Sequence, residues 1–307
     1  MCRPPSHPSP CTRGVPGGGF GWGCNRRNLW LKEESVAAPK ILALDFDGVI
    51  CDTVRELLKS TWQVYREIWG GGGDGPPSEA AAAYVRLRPA LEIGWESPVL
   101  LRAIIEGVPE AELLQDFQTL WSQRILEAHR LNQADLAARF DAARDAWIRT
   151  DLRGWLASNH FYPGIAERLQ AIVQSDVRVF VLTTKEGRFA HLLLEQNDVK
   201  LPTAHVWGKE RTRPKADLLR VLREEQGVAF GDIWFVEDRL KTLQSIAQPA
   251  DLEAVGLFLA AWGYNTPAER EKARADGRIV LLTLDQFCGE FTAWPRTGGA
   301  VPRGATR

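Results

Sequence analysis

Apolar positions recur along the chain with two different periods, and the architecture changes where the period does. Ile41, Leu42, Ala43 and Leu44 form a short apolar run within Lys40 to Phe46, closed by an Asp-Gly turn, which predicts a buried strand. From Thr53 to Trp69 the spacing becomes helical, with Leu57, Leu58, Thr61, Trp62, Tyr65 and Trp69 on an amphipathic stripe. Gly70 to Pro77 is too glycine-rich to continue a helix. Its glycines match neither GxGxxG nor a GK[ST] ending, so it reads as a flexible connector rather than a phosphate loop. Ser78 to Asn159 keeps the helical pattern in Ala-, Leu- and Arg-rich segments broken near Pro89, Pro98 and Pro109, without a convincing strand.

Alternation begins after Pro163-Gly164. Helix Ile165 to Gln174 leads to strand Val177 to Leu182, and helix Arg188 to Gln196 to a short strand around Ala204 to Trp207. Helix Ala216 to Gln226 leads to strand Ile233 to Val236, helix Leu240 to Gln248 to strand Ala254 to Leu259, and a last unit runs through Ile279 to Leu282 and Leu284 to Phe291. Strands alternating with helices predict an α/β fold, a parallel sheet with helices on both faces. The long helical stretch between the first and second strands predicts an insertion. The expected organisation is an α/β core of residues 39–52 and 160–292 with an all-helical domain of residues 53–159 inserted into it.

Composition narrows the function classes. Of 307 residues, 45% are apolar and 25% charged, ordinary for a globular protein. The net charge of −1 supplies no global field toward nucleic acid or anionic lipid, so any anion must be held by a local site. No apolar run approaches the roughly 20 residues a membrane helix needs. Cys2, Cys11, Cys24, Cys51 and Cys288 are odd in number and form no CxxC pair, which argues against a disulfide framework or zinc site. Residues 1–38 are Pro- and Gly-rich, carry Arg26 and Arg27, and hold no acid before Glu33. They read as a disordered extension with the character of an organellar transit peptide, which would place the protein in a chloroplast or other organelle; without one it would be cytoplasmic. Residues 293–307 read as a disordered tail.

In an open parallel sheet, ligands bind at the carboxyl ends of the strands. The first strand is followed by Asp45-Phe46-Asp47-Gly48-Val49, the second by Thr183-Thr184-Lys185, and that at 233–236 by Glu237-Asp238; Arg213-Pro214-Lys215 precedes the helix at 216. Neighbouring strands lie about 4.8 Å apart, so adjacency would crowd the Asp45 and Asp238 carboxylates. Two like charges at 4 Å repel by roughly 4 kcal/mol at an effective dielectric of 20. A shared proton or a hard divalent cation would offset this, and Mg²⁺ suits the second solution because it takes one or two carboxylates together with a substrate phosphate. Lys215 adds a positive charge and Thr183 a hydroxyl donor. Thr184 and the backbone from Phe46 to Val49, with Gly48 permitting the turn, are the expected substrate contacts. Asp45 suits a carboxylate nucleophile and Asp47 a general acid and base. Taken singly, a strand-end acid often caps a turn and a lone lysine is often a surface charge; their conjunction in this order carries the functional reading.

Asp45-Phe46-Asp47-Gly48-Val49-Ile50 resembles the first motif of the haloacid dehalogenase-like superfamily. Val181-Leu182-Thr183, Lys215 and Val236-Glu237-Asp238 are similar to its second, third and fourth motifs, and Tyr162-Pro163-Gly164-Ile165 to the re-entry from cap to core. The resemblance spans residues 40–292. It implies a Rossmann-like core, an Asp45-phosphoryl intermediate, and Mg²⁺ held by Asp45, the Asp47 carbonyl and Asp238. Many members carry a further acid after the fourth-motif Asp; here Arg239, Leu240, Lys241 and Thr242 follow, and Glu237 is the candidate substitute. The insert occupies the position of a helical cap. Within it, Arg86 to Glu96 gathers Arg88, Glu92, Trp95 and Glu96 at a helix-breaking spot, and Arg88 and Glu92 are expected to read the leaving group. The expected function is a Mg²⁺-dependent phosphatase of a small phosphorylated metabolite, without nucleic-acid or membrane partners. The alternatives are a phosphomutase of the β-phosphoglucomutase kind and a non-catalytic binding protein on the same core. A true dehalogenase is disfavoured by Asp47.

Overall fold

A computed structural model describes residues 38–211 and 213–295. The transit-peptide and organelle expectations rest on residues that lie outside these, apart from Ala38, as does the tail from residue 296. Six strands form one parallel sheet: β1 (Ile41–Leu44), β4 (Arg178–Leu182), β5 (Val206–Trp207), β6 (Ile233–Glu237), β7 (Gly256–Ala260) and β8 (Ile279–Leu282), in the order β5-β4-β1-β6-β7-β8. Two further short strands, β2 (Cys51–Asp52) and β3 (His160–Phe161), pair antiparallel where the chain leaves the sheet region for the insert and returns from it.

β1 is central because each of its four residues is apolar and fully buried, which suits a strand covered on both faces. Leu42 and Leu44 face one layer with Val179, Val181 and Val236, packed by helices Ile165–Val173, Gly187–Gln196 and Leu284–Cys288. Ile41 and Ala43 face the other with Phe180, Leu182 and Phe235, packed by Lys215–Gln226, Leu240–Ala247 and Pro267–Asp276. The fold is thus a Rossmann-like α/β sandwich. Between β2 and β3 the regular elements are all helices, from Val54–Trp69 to Leu152–Leu156, with an apolar cluster of their own around Tyr84, Leu100, Phe117 and Phe140. No helix among the described residues is long and apolar enough to cross a membrane.

Three details depart from the pattern read along the chain. Helix Pro267–Asp276 was not anticipated, because it buries only Ala273 and so shows no apolar stripe; its signal is the Thr266 cap, which accepts from Glu269 N while Glu269 returns a bond to Thr266 N. Trp294, assigned to the tail, is buried against Trp234, Phe258, Phe287 and Phe291, so the core packs beyond residue 292. Trp147 and Trp155, on the insert's last helices, pack into the sheet's cluster rather than the insert's own.

Candidate active site

Register places the acids. Leu44 pairs with Val181 of β4 and Val236 of β6, so the next residue, Asp45, emerges between the ends of both neighbours, its N–H donating to the Val236 carbonyl at 2.9 Å. Glu237 ends β6 and Asp238 follows it. Carboxylate oxygens of Asp45, Glu237 and Asp238 all lie within 4.8 Å of one another. Glu237 and Asp238 are each 1% exposed, so little water separates the charges. Burial, then the nearby Glu237, pushes the Asp45 carboxyl up to about 7 against the pull of Lys215. Glu237 is pushed up to about 7, chiefly by burial, and Asp238 is raised by burial and by Asp45.

Lys215 opens the helix after Pro214 and reaches back under β1. Its Nζ lies 2.8 Å from Asp45 Oδ1 and 3.6 Å from Glu237 Oε2, and it donates to the Leu182 carbonyl. Despite burial, the surrounding carboxylates, Asp45 first, raise its pKa and keep it charged. Glu237 is engaged on its other side: Oε1 accepts from Asp238 N and Arg239 N, both at 3.1 Å. One ammonium therefore serves two acids at once, with a third alongside.

The loop after Asp45 folds tightly. The Phe46 carbonyl accepts from Ile50 N at 2.9 Å and Cys51 N at 3.0 Å. Gly48 has φ +85°, and a Cβ there would overlap the Asp238 carboxylate and come within 2.8 Å of Tyr264 Cδ2, so glycine is required on both counts. Asp47 is partly exposed, its Oδ1 lying 3.3 Å from Lys185 Nζ. Thr183 is buried and its Oγ1 accepts from Lys185 N at 3.1 Å. All donors of the Asp45, Glu237 and Asp238 group are carboxylate oxygens, and burial, with like charges adding to it, raises the pKa of each. This donor set fits a hard divalent cation such as Mg²⁺.

Asp45, Asp47, Gly48, Thr183, Lys215, Glu237 and Asp238 thus gather at one sheet edge. Others of the expected residues stand differently. The Phe46 side chain is fully buried and meets Phe161 edge-on at 6.0 Å, so only its backbone is on offer to a ligand. Thr184 is exposed. Arg88 lies over the Tyr264 ring, with 4.1 Å from Cζ to the ring centroid. Glu92 is exposed and pairs with Lys241 at 3.0 Å; the turn of the insert aims its side chain at the adjoining core helix.

Three residues at the site went unassigned in the sequence. Lys185 is the plainest, since it follows Thr183-Thr184 at a strand end and the rule that found Thr183 covers it. Arg239 donates through Nη1 to Pro89 O at 2.6 Å and Tyr264 O at 3.2 Å, tying core to insert. Tyr264 has no local signature. Its N–H donates to Asp238 Oδ2 at 2.7 Å, its hydroxyl accepts from Thr53 N at 2.7 Å, and that hydroxyl donates to Asp52 Oδ1 at 2.8 Å. Its ring packs into the insert's apolar cluster.

Known proteins resemble this chain over most of its length. A family model described as a haloacid dehalogenase-like hydrolase matches residues 39–248. A phosphoglycolate phosphatase of Photobacterium profundum is 25% identical over 251 residues, covering 81% of this chain and 92% of that protein. Among solved structures, a protein of Lactobacillus delbrueckii subsp. bulgaricus assigned as a phosphoglycolate phosphatase superposes with TM-score 0.55 at 17% identity, over 80% of this chain and 95% of its own. A protein of Clostridium acetobutylicum assigned as a phosphatase gives 0.53 at 15% identity, over 82% and 97%. The two structures bear on the fold alone.

Proposed function

The chain belongs to the haloacid dehalogenase-like hydrolases, and from that premise we propose that it is a Mg²⁺-dependent phosphatase of small phosphorylated metabolites, phosphoglycolate among the candidates. The observation that carries the reading is the trio Asp45, Glu237 and Asp238, three acids gathered about the single ammonium of Lys215 at the end of β1.

In the proposed reaction an Asp45 carboxylate oxygen bonds to phosphorus while the bond from phosphorus to the leaving oxygen breaks, giving an aspartyl-phosphate. Asp47 gives its proton to the departing oxygen, then takes one from the water that attacks phosphorus, and phosphate leaves with Asp45 restored. Lys185 at 3.3 Å steadies Asp47 for both transfers. Lys215 holds Asp45 in line and opposes the charge that builds on the phosphoryl oxygens. The Thr183 hydroxyl and the backbone around Gly48 supply donors to those oxygens. A Mg²⁺ bound by Asp45, Asp238 and the Asp47 carbonyl would supply electrostatic neutralisation of acids and phosphate together. Glu237 would add a third carboxylate to that set, in place of the further acid, and it also helps to keep Lys215 charged. The helical insert acts as a cap whose closure excludes water, the β2–β3 ladder marking its hinge.

The test is hydrolysis of p-nitrophenyl phosphate with Mg²⁺, with EDTA, and by the Asp45→Asn protein. Turnover only in the first condition is expected. Metal-independent turnover, or an Asp45→Asn protein as active as the parent, would falsify the mechanism.

A further inference from the structure

We propose that Tyr264 is a positioning residue that couples the helical insert to the cation site. One end of it holds Asp238 and the other latches the strand by which the chain enters the insert, so that seating the insert and binding the cation favour one another. This deepens the phosphatase reading and rests on its assignment of Asp238 to the cation.

The loop after β7, residues 262–265, takes no part in the chemistry, yet it is bonded on several sides. Trp262 Nε1 donates at 3.0 Å to the carbonyl of Val49, in the loop after Asp45. Tyr264 N–H donates to Asp238 Oδ2 at 2.7 Å. The buried Asn265 donates through Nδ2 to the Asp238 carbonyl at 3.0 Å and to the Ala260 carbonyl at 2.8 Å. Gly263 permits this approach, since a Cβ there would lie 2.3 Å from Asp238 Cβ and 2.4 Å from the Gly48 carbonyl oxygen. Hydrogen bonds to a metal-binding carboxylate fix its orientation, and losing one typically weakens metal binding by about 10–100-fold.

The Tyr264 side chain runs the other way. Its hydroxyl accepts from Thr53 N at 2.7 Å and donates to Asp52 Oδ1 at 2.8 Å. The same Asp52 oxygen accepts from Val54 N at 3.1 Å, where the insert's first helix opens. Asp52 closes β2, one half of the ladder that marks the hinge. The ring is buried among the insert's apolar residues. Packing alone would not require a hydroxyl, because phenylalanine fills the same space. A tyrosine has only two side-chain torsions, and here both of its ends are bonded. Moving Asp52 and Thr53 with the insert must therefore break the hydroxyl's bonds or drag the loop that holds Asp238. Arg239, next to Asp238, adds a parallel tie through the Tyr264 carbonyl and the Pro89 carbonyl of the insert. Coupling of this kind is reciprocal, so a cation that fixes Asp238 must also steady Thr53.

Amide hydrogen exchange on the full chain, read by mass spectrometry with Mg²⁺ and with EDTA, tests this without turnover. In wild type, Mg²⁺ should slow exchange around Thr53 and Val54 by about tenfold, and by more than in the insert helix Gln133–Thr150. Tyr264→Phe keeps the ring and the backbone N–H but loses the latch. That local slowing should disappear, and the Mg²⁺ dissociation constant from calorimetry should rise by about tenfold. Exchange at Thr53 that ignores Mg²⁺, slowing that is uniform along the chain, or a Tyr264→Phe protein with the parent's affinity and local slowing overturns the coupling and leaves the phosphatase reading intact. Should Tyr264→Phe fail to fold, the wild-type exchange alone decides. No Mg²⁺ binding to wild type in calorimetry overturns both.

Discussion

Glu56 in the helical insert and Glu237 at the sheet edge are the same residue type at nearly the same burial, 0% and 1% exposed, yet they sit on opposite sides of ordinary behaviour. Burial raises both. At Glu56 the guanidinium of Arg144, bonded through two nitrogens, outweighs burial with help from Lys185 and the Ser60 hydroxyl, and the carboxyl ends below its usual range. At Glu237 burial wins, because Lys215 is 3.6 Å away and shared with Asp45 while Asp238 adds a like charge. Burial by itself therefore says little about function. The ratio of acids to committed cations separates a structural ion pair from a site waiting for a ligand.

Breaking the sheet-edge side of this comparison should have the largest effect. Asp45→Asn removes the nucleophile, and kcat for p-nitrophenyl phosphate should fall by on the order of 10⁴-fold or more. Lys215→Ala leaves the nucleophile but takes away the shared ammonium, and a loss of about 10²–10³ in kcat is expected from steady-state kinetics. On the insert side the cost moves to stability. Glu56→Gln strands Arg144 and should destabilise the fold by about 3–5 kcal/mol in urea unfolding, whereas Glu237→Gln, which relieves repulsion, should cost under about 1 kcal/mol without divalent cation. Equal costs for the two would erase the distinction.

The subtlest test uses pH. Asp45 and Glu237 hold protons in the cation-free folded protein up to about 7, against unfolded values near 3.8 and 4.5. Between those limits the folded state binds more protons, so these groups' favourable contribution is complete below about pH 4 and is lost as pH rises through 7. Mg²⁺ must displace the same protons. The rise in Tm on adding Mg²⁺ should thus be small at pH 5 and grow toward pH 8; a gain independent of pH would mean the cation binds elsewhere.

Much of this arrangement was readable along the chain. The buried β1, the acid pair Asp45 and Asp47 with Gly48 behind them, and the βα alternation from residue 160 onward all show in local pattern. Helix Pro267–Asp276 escaped because a helix that buries one alanine has no stripe to detect. Glu92 shows a different limit: successive residues of a turn point in different directions, and only the folded chain sets its carboxylate 3.0 Å from Lys241 Nζ.

What the amino-acid order determined by itself was chemistry and local form: which stretches become strands, where the insert begins, and that acids, a lysine and a glycine turn follow strand ends. Short-range periodicity and turn preference suffice for that, since both act within a few residues. The tertiary structure alone decided which strands are neighbours, and hence that Asp45 meets Glu237 and Asp238 across β1 and β6. It alone brought Tyr264 against Asp52, Gly48 and Arg88, residues more than 170 positions away. Contacts of that span follow from how whole layers pack, and no local pattern encodes them.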